Sequence, residues 1–215
     1  MLNYKSRSDY FNFQVPSECV NFYNTIYPYF ELVKDRSVLE IGPFLGAYSS
    51  IIVSYGPKSF TMVENNLVAV QELRKIFPEF EVVHDDIFQF LKKDICKFDV
   101  VVCCGVLYHF HSPLYLLELI ANYADPDFLI IEFLNMNETS VILDESSNQS
   151  GNRFTSTGWK YIDKSILISD AHMTSSIEQL GYRSTVQFLP VPPNKNKPLF
   201  KERMIFNVYE KVKND

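Results

Sequence analysis

Three acidic residues each close a short apolar run: Glu40 in VLEIGPFLG, Glu64 in FTMVE and Asp86 in VVHDDIFQF. The first stands just before Gly42 and Gly46, with Pro43, Phe44 and Leu45 between the glycines. A turn from a buried strand into a helix exposes free backbone N–H groups and the positive end of a dipole. Glycine there permits a sharp bend and a close approach by a ligand. A dinucleotide turn needs G-x-G-x-x-G. Counted from Gly42, its second and third glycines fall on Phe44 and Ala47, and the phenyl group obstructs a pyrophosphate. The mononucleotide string G-x-x-x-x-G-K-[ST] does not occur in the sequence. A ligand with a cationic amino group suits Glu40 better than phosphate does, directly or through water. A second reactive stretch, CCGVLYHFHSP, brings Tyr108, His109 and His111 close together.

The elements that must position these residues follow from the hydrophobic pattern. From Arg36 onward, short β-rich runs alternate with longer helical ones: SVLEI, SFTMVE, FEVVH, FDVVVCC and DFLIIEFL read as strands. Between them AYSSIIVSYG, LVAVQELRKIF, IFQFLKK and PLYLLELIANYA read as helices. Strands alternating with helices imply a parallel sheet with right-handed crossovers, and the nearly continuous apolar character of FDVVVCC suits a strand covered on both faces. Beyond that the pattern changes. Residues 135–158 are polar and read as a long loop, and ISDAHMTSSIEQL reads as a helix ending at Gly181. RSTVQFLP and ERMIFNVYEK read as two strands joined by PVPPNKNKP, giving the parallel sheet an antiparallel ending. Residues 1–35 form an N-terminal helical segment, with a helix over Ser17 to Val33, that is either a lid or an edge cover; residues 36–215 form the main domain.

The stretch VLEIGPFLG resembles the first motif of the class I S-adenosylmethionine-dependent methyltransferases, an acidic residue followed by x-G-x-x-x-G, and the likeness extends over roughly residues 36–210. It implies an α/β, Rossmann-like, seven-stranded, mostly parallel sheet with helices on both faces and an antiparallel last strand. It also implies S-adenosylmethionine as cofactor and S-adenosylhomocysteine as product. By that match Glu40, Gly42, Pro43 and Gly46 line the cofactor site. Phe44 departs from the glycine common at the middle of the motif, and Pro43 removes one N–H donor.

Glu64, about 20 residues past the glycine turn, resembles the family's ribose-binding acid, with Asn65 beside it. A carboxylate can accept hydrogen bonds from both hydroxyls of a ribose. Asp86, preferred over Asp85, and Ile87 resemble the adenine motif: a carboxylate for the exocyclic amine, the next backbone N–H for a ring nitrogen, and Phe88 to pack on the base. The competing reading of each acid is a cap for the helix that follows it.

Cys104 and Gly105 fall where the family runs beside the cofactor. Tyr108, His109 and His111 are the catalytic candidates, since a histidine titrates near neutrality and can take a proton from a substrate. The alternative for His109 is a bond to a neighbouring carbonyl. Glu132, Arg153, Trp159 and Tyr161 are the candidates for contact with substrate. For Glu132 the competing role is packing or capping, for Arg153 a solvated loop position, and for Trp159 the core. His84 and His172 read as structural. GVLYHFHSPL and GWKYIDKS are also similar to the tRNA wobble-uridine carboxymethyltransferases, which use a carboxylated relative of the cofactor.

Composition bounds the partners. The chain has 215 residues, 47% of them hydrophobic, and a net charge of -6, which suits a folded domain and argues against nucleic acid as a partner. The cysteines Cys19, Cys96, Cys103 and Cys104 form no CxxC pair, so the expectation is free thiols, no metal site and a reducing compartment. No apolar run approaches a membrane span. The sequence is therefore expected to be soluble and cytoplasmic. The function expected is methyl transfer to O or N of a small molecule, a sugar or a biosynthetic intermediate. Its rivals are a tRNA wobble-uridine alkyltransferase, a non-catalytic cofactor-binding module and a nicotinamide oxidoreductase.

Overall fold

The computed structural model describes residues 20–93, 97–134, 141–144, 164–188 and 204–213. The chain enters as α1 (Val20–Ile26) and a 3-10 segment (Tyr27–Val33) that Pro28 separates from it. It continues through β1 (Ser37–Ile41), α2 (Ala47–Ser54), β2 (Ser59–Glu64), α3 (Leu67–Ile76), β3 (Glu81–His84), α4 (Ile87–Leu91) and β4 (Val100–Cys104). Then come α5 (Pro113–Leu119), β5 (Phe128–Leu134), β6 (Val141–Asp144), β7 (Lys164–Leu167), α6 (Asp170–Gln179), β8 (Tyr182–Phe188) and β9 (Met204–Lys211).

Seven strands form one sheet in the order β3-β2-β1-β4-β5-β9-β8. The first five run parallel, and β9 is antiparallel to both β5 and β8. This is the architecture expected from the sequence. The strand order reverses direction between β1 and β4, the place where an open sheet of this kind forms a ligand crevice.

Both faces of the sheet are covered. On one, Ile51 and Ile52 of α2, Val70 and Leu73 of α3, and Ile26, Phe30 and Val33 of the entering segment pack on Val38, Val102, Ile130 and Phe206. On the other, Phe90 of α4, Leu116 and Leu117 of α5, and Met173 and Ile177 of α6 pack on Leu39, Val101, Cys103 and Ile131. Every residue of β4 is buried, as a strand between two helical layers must be. Among the described residues no helix is long and apolar enough to cross a membrane.

Local chemistry explains the element ends. The Asn66 side chain accepts from the backbone of Val68 and Ala69 and so caps α3, which ends before Pro78. The single helix expected over PLYLLELIANYA instead changes to a π turn at Ile120–Ala124. The polar stretch read as loop from 135 to 158 contains β6, which pairs antiparallel with β7 in a separate two-stranded sheet. The runs VILD and KSIL are too short to show a period of their own, so neither strand was legible before its partner was known. The expected helix from Ser17 to Val33 is split at Ile26, because proline removes an N–H and clashes with the preceding turn.

The edges of β1 and β4 opposite the glycine turn are clasped by Asp99, whose Oδ2 accepts from Ser37 N at 2.7 Å and Ser37 Oγ at 2.8 Å. Those bonds hold the Asp99 carboxyl below its usual range. Asp99→Ala is expected to lower stability by about 1–3 kcal/mol, read as a lower urea midpoint with unchanged slope. Because the folded state favours the charged carboxylate, the advantage of the wild type over the variant is expected to shrink as pH falls below about 4.

Candidate functional site

The glycine turn leaves β1 with Gly42 at φ +64°, Phe44 at φ +52° and Gly46 at φ +82°. Gly42 must lack a side chain for two reasons: its backbone is left-handed, and a Cβ would lie 2.6 Å from Val106 Cγ2. Its N–H donates to Val63 O at 2.9 Å, tying the turn to β2. A Cβ on Gly46, at the start of α2, would meet the ring of Phe77 at 2.8 Å. Phe44 occupies a conformation that costs a non-glycine residue about 1–3 kcal/mol unless its surroundings hold it there. Glu64 supplies the hold. Its Oε2 accepts from Phe44 N at 3.0 Å and its Oε1 from Asn66 N at 2.8 Å.

Above this turn lies a crevice of about 430 Å³ at the carboxyl ends of β1 to β4. Gly42, Glu64, Asn65, Asp86, Ile87, His109 and His111, all singled out in the sequence, line it. Phe88 lines it too, its ring stacked on Tyr115 with centroids 5.9 Å apart and set edge-on to Phe110 at 5.3 Å. Phe110, Ser112, Tyr115, Lys92 and Val106 also line it and were not picked out as site residues. Tyr115 is 43% exposed at a crevice wall, and an aromatic in the first turn of a helix carries no sequence signal separating a wall from a core position.

The acids at the strand tips behave differently from one another. Glu64 is only 2% exposed, and burial raises its carboxyl above the usual range despite the bonds from Asn66 and Phe44. A carboxylate has about four acceptor positions; the backbone of Phe44, Asn66 and Asn65 draws on them and leaves capacity for a further hydroxyl. Asp86 caps α4 by accepting from Gln89 N at 3.1 Å, so the capping role and a place on the crevice wall belong to the same residue. Asp85 lines the wall as well, paired with Lys93. Glu40 does not line the crevice. It points at the α2 face of the sheet, 2% exposed, and accepts from Ser49 Oγ at 2.5 Å. Burial pushes its carboxyl up to about 8, against the effect of Ser49 and with a further push from Glu64.

The Cys104 side chain is buried in the same α2 face, and burial raises both it and Cys103, disfavouring the thiolate of each. Pro43, Cys104, Gly105 and Tyr108 are not among the lining residues, though Val106 between the last two is. His109 was expected to titrate near neutrality. Burial instead pushes it down to about 4, because the apolar wall disfavours the imidazolium. Its backbone N–H donates to Val106 O at 2.9 Å, and its ring lies 4.4 Å from that of Tyr108. Glu132 is 1% exposed and accepts from Tyr48 Oη. Arg153, Trp159 and Tyr161, like Cys19 and Cys96, lie outside the described residues.

A glycine turn, Glu64 and Asp86 thus share one crevice at the carboxyl ends of a β3-β2-β1-β4-β5 sheet, the arrangement of a class I methyltransferase fold. Residues 11–182 match the family described as "Methyltransferase domain", and the chain belongs to that family, whose class I members take S-adenosylmethionine as cofactor. A stretch of 89 residues is 32% identical to the tRNA U34 carboxymethyltransferase of Helicobacter pylori, covering 39% of this chain and 34% of that protein. The match thus spans about a third of the length of that curated relative.

Among solved structures, the 1,6-didemethyltoxoflavin-N1-methyltransferase of Burkholderia thailandensis, with bound 1,6-didemethyltoxoflavin and S-adenosylhomocysteine, superimposes with a TM-score of 0.66. It is 13% identical, over 96% of this chain and 87% of that one. The magnesium protoporphyrin IX methyltransferase of Synechocystis, with bound S-adenosylmethionine, gives 0.62 at 12% identity over 89% and 79%. At such identities the likeness shows the fold.

Glu40 and Glu132 are both carboxyls whose folded-state affinity for a proton exceeds that of the unfolded chain, so deprotonation favours unfolding. Stability is expected to fall as pH rises from about 4.5 through the two raised values. Glu40→Gln removes one of them. Its stability relative to the wild type should shift in its favour by roughly 2–4 kcal/mol between about pH 5 and pH 8, measured by urea unfolding at the two values.

Proposed function

We propose that this protein transfers a methyl group from S-adenosylmethionine to an oxygen or nitrogen of a small molecule. The observation that carries the reading is the single crevice holding Gly42, Glu64 and Asp86 in the order in which a glycine turn, a ribose and an adenine meet them. The residues fit the group. Glu64 keeps acceptor capacity for a ribose hydroxyl beside its backbone bonds, and Asp86, whose Oδ1 caps α4, stands on the crevice wall where a carboxylate can accept from an exocyclic amine. Ile87 and Phe88 offer an apolar surface to a purine. When bound, the cofactor supplies an electrophilic methyl on a sulfonium.

The protein's part is to hold an acceptor in line with that methyl, since positioning accounts for much of the rate in such displacements. His109 contributes to this as a neutral imidazole on the crevice wall, the form that burial favours. His111, more exposed at the same wall, stands at the mouth of the crevice.

The matched stretch of the tRNA U34 carboxymethyltransferase supports a second reading, transfer of a carboxymethyl group to a wobble uridine. That reading needs a cation for the extra carboxylate. Lys92, the lysine among the crevice residues, sits 5.6 Å over the Tyr115 ring, beside the purine end rather than the sulfonium end. The net charge of -6 also disfavours a polyanionic partner.

Titration calorimetry should show binding of S-adenosylmethionine and S-adenosylhomocysteine. Glu64→Gln and Asp86→Ala should each weaken it by about tenfold or more, the loss of one charge-assisted bond. Binding of NAD instead would overturn the reading. A screen of small-molecule acceptors with methyl-labelled cofactor should give labelled product, while transfer only to tRNA from the carboxylated cofactor would establish the second reading. With an acceptor in hand, His109→Asn should lower turnover by about tenfold and leave cofactor affinity unchanged. Unchanged turnover would remove His109 from the acceptor site.

A further inference from the structure

We infer that Glu132, rather than Glu40, receives the ammonium group of the cofactor's amino-acid tail. The inference rests on the reading of the crevice given above. Glu132 extends from β5 on the face that α2 covers, two residues beyond Ile130 and opposite Cys104 in the β4 ladder. One of its oxygens, Oε2, accepts from Tyr48 Oη of α2. The other, Oε1, is buried and has no hydrogen-bond partner among the described residues. A buried carboxylate oxygen without a donor is costly, and such atoms call for a ligand or a proton.

Among the described residues, the groups around Glu132 supply no cation. Tyr48 faces it from α2, and Cys104 faces it from β4 with Glu40 beyond, while the Tyr23 ring packs on Tyr48 with centroids 5.2 Å apart. Burial raises the Glu132 carboxyl to about 7, more than the Tyr48 bond lowers it. The pocket therefore alternates between a neutral acid and an uncompensated anion close to neutral pH. A primary ammonium brings three donors and the missing charge at once.

Gly105 opens the way. It follows β4 directly and precedes Val106, which lines the crevice. A carbon built on Gly105 would have nothing nearer than Tyr108 Oη at 3.8 Å and Glu132 Oε2 at 4.0 Å. Gly105 thus leaves unfilled space beside the acid, next in the chain to the crevice-lining Val106, and its left-handed φ of +69° also favours glycine. Glu40 is less suited to the same task. One of its oxygens accepts from Ser49 Oγ at 2.5 Å, and neither of its oxygens is left buried without a partner.

The test uses the full chain and two probes, S-adenosylhomocysteine and 5′-methylthioadenosine, which lacks the amino-acid end. Calorimetry should show Glu132→Gln weakening S-adenosylhomocysteine by about tenfold or more while 5′-methylthioadenosine binds as to the wild type, which also certifies the fold. Wild-type affinity for S-adenosylhomocysteine should rise between about pH 6 and pH 8, because the ammonium pairs with the carboxylate form and binding expels its proton. That rise should vanish in Glu132→Gln. It should move to higher pH in Tyr48→Phe, which removes the bond that lowers the acid.

Equal binding of S-adenosylhomocysteine by wild type and Glu132→Gln would overturn the inference, as would a parallel loss of both probes or a loss confined to Glu40→Gln. A wild type that binds neither probe would refute the reading of the crevice itself, and the role of Glu132 with it.

Discussion

The carboxylate of Glu64 ties the structure of the site together. Its two oxygens take the N–H of Phe44 and the N–H of Asn66, so one side chain on β2 fixes the turn after β1 and the start of α3. Phe44 stands in a left-handed conformation where the methyltransferase motif commonly has glycine. The bond from its N–H offsets part of that strain, and Gly42 beside it presses against Val106 where no side chain fits. The acid best suited to ribose hydroxyls is therefore also a structural keystone of the loop that forms the crevice floor. Its burial raises its proton affinity, and its backbone donors and the nearby His84 oppose that rise.

A second constraint comes from placing acids on the buried face of a sheet. Glu40 and Glu132 both point toward α2, and α2 answers each with a hydroxyl, Ser49 for the first and Tyr48 for the second. One helix thus docks on the sheet through apolar contacts from Ile51 and Ile52 and through two polar clasps near its start. Tyr48 is itself held by the Tyr23 and Phe30 rings of the entering segment, which connects residues before β1 to an acid in the second half of β5. These groups are costly to bury, and they lie at the ends of the strands beside the crevice rather than in the middle of the sheet.

The opposite wall is built from different material. Phe88, Phe110 and Tyr115 form an aromatic cluster against α4 and α5, with Asp85 and Asp86 at its rim. Asp86 illustrates how a helix cap and a place on the crevice wall coincide. A helix that begins at a strand tip needs an acceptor for its free N–H groups, and the same carboxylate faces the space above the sheet. A strand-tip acid can therefore cap a helix and line the crevice at once.

The sequence by itself determined the strands of the main sheet, the helices between them, the antiparallel return at the end and the positions of Gly42, Glu64 and Asp86, because those depend on local periodicity and on residues a few positions apart. Two kinds of fact lay beyond it. Short strands such as β6 and β7 acquire their conformation from pairing with each other, so neither can be read alone. The direction and burial of a side chain depend on which layer covers it. Glu40, placed by its motif on the crevice wall, is turned to α2 and bonded by Ser49, and His109, expected to titrate near neutrality, is held neutral by its burial. Tertiary packing decided these because proton affinity is set by solvent removed and charges brought near, quantities that exist only once distant segments meet.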